Sequence, residues 1–566
     1  MTARGHGTGN GRLALALPAL AFAVVLAAGS VHLVRAADTK LATPSFESLT
    51  EAARKYFPSE EIGRAPNKRI YRLTRDQIDA TVAALLPKYV GPSVKTAMPK
   101  DPLQTNYEYA EILSFNPSNL NALKVWISDI AVRVRKDPSG LINCPAANAN
   151  EDCLRSEARK FIVKAFRGDM RLFGEAKTGV ENFDRTTDFF LAGVKNAGLN
   201  QAAGDLVEVV LNSPDFLFRK EVTVNRGRGI EAAQLLQAFT YTLADMPPDA
   251  LKFDSSNPSQ YFQSKDAERA TVKAIMTSPQ GREKLVRFFK TWLELKDPAE
   301  FTISAEVFPE FTPKLAGAML DETDRYLRAQ LAKPAPTLTD ITQATESFVS
   351  QPLEAIYAVK AAAANGTKPV ALDPSRRLGI FSQPAVIASH SGPTNSRPVK
   401  RGVFWARKVM CMELEPPPNG TDTTIYEIPH TTERQRIEQV TSQKACIGCH
   451  KVIDPLGFFQ ERYDALGRWR ELDNGHPIDT SVAFAFLDEG PQKTTMPVEA
   501  LKVFTNSMMF KQCFVRQLFR FYVGRNEEPS DDRLLRHLFL ELAHNDNILE
   551  LVEELALFDN RFGKRQ

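Results

Sequence analysis

The sequence lacks most of the signals that would assign a chemistry. It has no Gly-rich phosphate-binding loop, no His-Glu-x-x-His pair and no recognisable nucleophile motif. No period of 20 to 50 residues marks a repeat array, and beyond residue 36 no run is apolar enough to span a bilayer. Charge of one sign is also missing. Lys and Arg number 71 against 68 Asp and Glu, and Arg4, Arg12 and Arg35 near the start account for the excess of +3. A balanced remainder argues against nucleic acid or an anionic membrane surface as the main partner. Cysteine and histidine are scarce, at 6 and 8 among 566 residues. The one place where they gather therefore carries information.

That place is Ala445-Cys446-Ile447-Gly448-Cys449-His450, followed by Asp454-Pro455-Leu456-Gly457. Cys-x-x-Cys-His is the attachment pattern for a c-type haem. Two thiols three residues apart can bond the two vinyl groups on one porphyrin edge, and the next residue, His450, falls beneath the iron as proximal ligand. A thioredoxin-like redox pair would need a βαβ unit upstream, and none is evident. A zinc site would need a second Cys/His pair at short spacing, and Cys513 is distant and alone. The motif implies one covalent haem c.

The N-terminus agrees with that reading. Arg4 and Arg12 lie in a Gly-rich stretch, an apolar run spans 13–28, and Val34-Arg35-Ala36 suits a signal peptidase cutting after Ala36. An uncleaved anchor is the alternative, disfavoured by Pro18, His32 and Arg35. No Cys follows the leader to carry a lipid. The expected location is the bacterial periplasm or cell surface, where haem is attached and disulfides persist. Cys144 and Cys153 flank a polar loop short enough to staple. Cys411 and Cys513 remain, either paired across the haem region or free, and pairing is favoured in an oxidising compartment.

Between these landmarks the chain reads as helices. Thr74 is an N-cap with Gln77 completing a capping box, and Ile78, Val82, Leu85 and Leu86 form one apolar stripe ending before Pro87. Helical spacing recurs at 120–134, 156–166, 206–211, 232–243, 269–276, 283–295, 313–331, 431–440, 497–504, 511–523 and 548–558. Gly, Pro and Ser become common after residue 373, and Pro416-Pro417-Pro418 favours a stiff extended segment. Asp473-Asn474-Gly475 signals a turn, and Val482, Phe484 and Phe486 alternate as in a short strand. The fold class expected is mainly α: a multi-helix scaffold with an inserted c-type haem domain and a small β element. Its parts are a signal peptide (1–36), a loosely attached polar arm (37–66), an N-terminal helical domain (67–225), a central helical domain (226–374), the haem domain (375–506) and a C-terminal helical segment (507–566).

With these landmarks the chain resembles the planctomycete-type cytochrome c proteins, exported bacterial proteins built from consecutive domains of unknown function. The residues that carry the resemblance are Arg72-Leu73-Thr74-Arg75, Ser213-Pro214-Asp215-Phe216-Leu217-Phe218-Arg219 with Glu221, and Phe288-Phe289 with Trp292-Leu293. It continues through Arg377-Leu378-Gly379-Ile380, Pro398-Val399-Lys400-Arg401-Gly402, the haem motif, Glu461 and Tyr463-Asp464-Ala465-Leu466-Gly467-Arg468. The last matches are Arg516-Gln517-Leu518-Phe519-Arg520 and Gly524-Arg525. The resemblance implies a periplasmic or surface haem protein of undefined activity, and it implies that Cys411 pairs with Cys513. Some members have Met where Ile453 stands here.

A haem makes further demands. The free ring nitrogen of His450 must donate a hydrogen bond, and a carbonyl around Asp454 or Pro455 is the expected acceptor. The turn-like Asp454-Pro455-Leu456-Gly457 would also reverse the chain under the ring. Met496, followed by Pro497, is the first candidate for the distal iron ligand, with His476 and His390 as alternatives. Arg401, Arg468 and Arg470 are the expected propionate partners, because guanidinium pairs with carboxylate bidentately. The function expected is electron transfer by an exported monohaem cytochrome, with a redox protein as partner. A haem peroxidase or oxygenase with an open distal site is the enzymatic alternative. A surface scaffold stapled by haem and disulfides is the non-redox one.

Overall fold

The computed structural model describes residues 44–61, 68–91, 96–104, 107–109, 112–145, 150–169, 179–222, 230–416 and 428–558. The leader expected at 1–36, and the triple proline beyond Pro416, lie outside the described residues. The fold is mainly α, with four two-stranded sheets among the described residues. None of the described helices is long and apolar enough to cross a membrane.

The helices follow their sequence signals. Helix Arg75–Leu85 starts at Thr74, whose hydroxyl accepts from the Gln77 N–H at 3.1 Å while the Gln77 side chain accepts from the Thr74 N–H at 3.1 Å. Its stripe of Ile78, Val82 and Leu86 is fully buried. Helices Pro117–Lys136, Pro279–Trp292 and Pro313–Leu331 each open on a proline at their first position, where the missing N–H costs nothing.

Two landmarks that are far apart in sequence meet in space. Strand Lys68–Arg72 pairs antiparallel with Phe218–Val222, placing Tyr71 opposite Arg219 and Arg72 opposite Phe218. Neither strand has the length or alternation that would reveal it locally. Together they close an apolar cluster containing Ile78, Val82, Ile127, Ile162, Leu206 and Val210.

A larger cluster draws residues from Ala52 to Ala556 and centres on aromatic rings. Trp292 stacks on Phe288 at 6.0 Å, meets Phe381 edge-on at 5.9 Å, and donates its indole N–H to the Lys408 carbonyl at 2.7 Å. A buried indole needs such an acceptor, so the landmark Trp292 is fixed in orientation as well as place.

The polar arm expected at 37–66 is not loose where it is described. It carries helix Phe46–Tyr56, which buries Ala53 and Phe57 against the C-terminal helices. Arg516 donates to the Tyr56 carbonyl at 2.8 Å, Arg536 donates to the Phe57 carbonyl at 2.6 Å, and Lys55 pairs with Asp488 at 2.5 Å. Polar composition hid this helix because its apolar contribution is only a few residues wide.

Both disulfides are formed, Cys144–Cys153 and Cys411–Cys513, with Cα atoms 6.0 and 5.2 Å apart. The second ties the segment after Trp405–Val409 to helix Met508–Val523 across 102 residues of sequence.

Candidate functional site

Cys446, Cys449 and His450 lie at the start of a helix, Ile447–Phe458, with Cys446 as its N-cap. Asp454-Pro455-Leu456-Gly457 is the C-terminal half of that helix, not the chain reversal its composition suggests. Spacings of i, i+3 and i+4 share a helix face, so the two thiols and the imidazole sit together. The other four cysteines are in disulfides, which leaves Cys446, half-buried, and Cys449, exposed, as the free thiols.

Close backbone packing holds this helix against helix Pro398–Phe404. A methyl group on Gly457 would come within 2.1 Å of the Pro398 carbonyl oxygen, and one on Gly402 within 2.1 Å of the Ile453 carbonyl oxygen. The two glycines come from opposite helices and permit the approach from both sides. At Gly448 nothing lies within 4 Å of such a methyl group, so the thiol-bearing end of the helix is open.

Beside it runs a groove of about 720 Å³, within the size range of cofactor sites. One wall is Ile447, His450, Asp454 and Phe458 from the helix. Helix Glu433–Thr441 contributes Arg434 and Thr441. The opposite wall is a hairpin of strands Val482–Phe484 and Gln492–Thr494, the small β element expected from the alternation of Val482 and Phe484. A second hairpin, Leu472–Asp473 with His476–Pro477, turns at Asn474 and Gly475, both at positive φ, as Asn-Gly predicts.

The His450 ring is anchored through Nδ1, which lies 2.7 Å from Asp454 Oδ1. A carboxylate can only accept, so Nδ1 is the donor, and in the neutral ring Nε2 is the nitrogen that holds the lone pair. The acceptor is thus the Asp454 side chain, not a backbone carbonyl. The other oxygen, Oδ2, accepts from the Thr441 hydroxyl at 2.7 Å. That hydroxyl also lies 3.0 Å from the Ile437 carbonyl, but its one hydrogen belongs with the shorter, charged acceptor. Asp454 and Thr441 are buried, while His450 is 22% exposed toward the groove.

The expected propionate partners are occupied elsewhere. Arg401 is buried and donates to the carbonyls of Tyr463 and Asp464 at 2.8 Å each, to the Gln460 carbonyl at 3.2 Å and to Ser391 Oγ at 2.8 Å. Burial pulls its pKa down to about 10. Arg468 pairs with Asp464 and Glu310, and Arg470 with Glu461 and Asp473. None of the three lines the groove. They brace the loop that follows the helix, together with Arg377. Its guanidinium donates to the Ser382 and Gly467 carbonyls and lies over the Tyr357 and Tyr463 rings. The cations that do line the groove are Arg434, Lys451 and Lys493, which the sequence reading passed over. Lys451 directly follows His450, but adjacent helix positions do not share a face, so the sequence alone does not place it at the groove. Lys493 comes from a hairpin whose distance only the tertiary structure sets.

The three distal candidates are dispersed. Met496 precedes helix Pro497–Asn506 and packs on the large apolar cluster, outside the groove lining. His476 sits in the second hairpin, also outside it. His390 is buried, stacks on Phe404 at 3.7 Å and has Nε2 3.0 Å from the Leu293 carbonyl. Burial drives its pKa down to about 3, so it is a neutral core histidine. Among the described residues no group of three or more His, Cys, Asp or Glu side chains is placed to hold a bare metal ion.

The donor set fits a c-type haem on chemical grounds. It offers two unpaired thiols, an imidazole with a free Nε2, apolar walls from Ile447, Phe458 and Val482, and three cations at the groove.

Two family models match the chain. One, described as "PSD4: Protein of unknown function (DUF1592)", covers residues 230–359. The other, described as "PSCyt3: Protein of unknown function (DUF1588)", covers 377–473 and so includes the whole of helix Ile447–Phe458 and the Arg377, Arg401, Arg468 and Arg470 braces. No curated protein and no solved structure matches the chain. Both models describe domains found in planctomycete cytochrome c proteins, and through these two segments the chain is similar to that family.

Proposed function

We propose that this chain is an exported c-type haem protein that carries electrons for a partner oxidoreductase. One observation carries the reading: the only cysteines left out of disulfides stand at i and i+3 beside His450, whose Nδ1 is held by Asp454. Cys446 and Cys449 would each add across a vinyl group, sulfur to one carbon and hydrogen to the other, with nothing lost. His450 Nε2 would bind the iron, and Lys451 and Lys493 would receive the propionates; Arg434, held by Glu438 and by the Asp479 and Ser481 carbonyls, would frame the groove beside them. The bound group supplies a one-electron ferric/ferrous couple. The leader and the two disulfides support export, and the family similarity supports a cytochrome.

The test is retention. Expressed with a haem-maturation system, the protein should keep its haem through denaturation and acid-acetone extraction. Replacing Cys446 and Cys449 together with Ala should release it. Haem that extracts freely from the unaltered protein defeats the reading.

A specific observation also favours the enzymatic alternative. Among the described residues lining the groove, His450 is the only histidine and there is no methionine. A distal side without a strong ligand would admit small molecules, as in a haem peroxidase. Rapid carbon monoxide binding and peroxide turnover would decide for that reading. A saturated iron that does neither would decide for the carrier.

A further inference from the structure

The geometry points to Asp454 as the positioning residue that sets the reduction potential of this centre, with Thr441 as its counterweight. The inference rests on the haem reading above, and it concerns how strongly the imidazole is pulled toward imidazolate.

Asp454 is buried, and its only hydrogen-bond donors among the described residues are His450 Nδ1–H and the Thr441 hydroxyl, each at 2.7 Å. No Lys or Arg of the described residues makes an ion pair with it. A buried carboxylate without a cation draws strongly on whatever N–H it holds. A backbone carbonyl in the same place would accept with a partial charge only. Carrying a full negative charge, Asp454 makes Nε2 more electron-rich. An electron-rich proximal ligand stabilises the ferric state over the ferrous one, so the potential is held low.

Thr441 works against this pull. Its hydroxyl takes part of the carboxylate's charge through Oδ2, opposite the oxygen that faces His450. The two partners come from different helices, Glu433–Thr441 and Ile447–Phe458. The setting is therefore a property of how those helices pack rather than of the attachment motif itself.

Opposite shifts from the two sides of one carboxylate are the signature. In the haem-loaded protein, Asp454→Asn should raise the midpoint potential. Thr441→Val should lower it, because Asp454 loses the competing donor. Thr441→Ser should restore the original value. Both single variants should keep their haem through acid-acetone extraction. An unchanged potential in Asp454→Asn, or a shift of the same sign in both variants, overturns the inference and leaves the haem reading standing. Should Asp454→Asn fail to fold, the sign of the Thr441→Val shift decides alone. Haem that extracts from the unaltered protein ends both readings together.

Discussion

Gly457 lies so close to Pro398 that a single methyl group on it would meet the Pro398 carbonyl oxygen at 2.1 Å. The obstacle is backbone in a packed helix pair, not the movable end of a side chain. Relief would require separating helix Ile447–Phe458 from helix Pro398–Phe404. Gly457→Ala is therefore expected to destabilise by at least ~1–3 kcal/mol, the ordinary range for overpacking, and Gly402→Ala similarly. Gly448→Ala, in the same helix but meeting nothing within 4 Å, should be neutral or stabilise by up to ~1 kcal/mol. Thermal unfolding of the three variants checks this, and a Gly457→Ala protein as stable as Gly448→Ala would contradict the packing.

A second expectation concerns pH. Glu322 is buried and accepts from Ser347 Oγ and Tyr357 OH at 2.5 Å each, and burial raises its pKa from 4.5 to about 7. A carboxyl group raised in the folded state holds its proton longer than in the unfolded chain. Its contribution is complete below pH 4.5 and is lost as pH rises through about 7. At 1.36 kcal/mol per pKa unit the loss is roughly 3 kcal/mol. Glu322→Gln should remove this slope, gaining on the unaltered protein between pH 4.5 and 8 in thermal melts. Parallel pH profiles for the two proteins would refute the assignment.

The disulfides should contribute unequally. In the chain-entropy model a short loop such as Cys144–Cys153 contributes roughly 3 kcal/mol, and one of about 100 residues, such as Cys411–Cys513, about 4.7. Removing the second pair as Cys411→Ala/Cys513→Ala should lower the denaturation midpoint more than removing the first. Peptide mapping after alkylation without reductant should recover both linked pairs and no free thiol at Cys411 or Cys513.

Met496 packs on the apolar cluster and lies outside the groove lining. Met496→Ala should cost stability through lost packing while leaving the absorption spectrum of the haem-loaded protein unchanged. Disappearance of a sulfur-to-iron charge-transfer band in that variant would make Met496 a ligand after all.

Sequence alone determined the parts whose signals are local. Capping boxes, apolar stripes and opening prolines fixed where helices such as Arg75–Leu85 and Pro313–Leu331 begin, because those interactions close within one turn. The mainly α class, the Asn474-Gly475 hairpin and the free-thiol motif were legible for the same reason. Interactions between distant segments were not legible. Strand Lys68–Arg72 finds its partner about 150 residues away, and helix Phe46–Tyr56 docks on helices near the other end of the chain. Arg401, Arg468 and Arg470 are near the motif in sequence, yet backbone carbonyls and nearby carboxylates hold them away from the groove. Asp454 looked like part of a turn and became the anchor of His450 because both stand on helix Ile447–Phe458 at i and i+4. The spacing of residues specified what could bind. Which charged side chains face the groove was set by packing, since an arginine satisfies whichever carbonyls or carboxylates the fold brings within its reach.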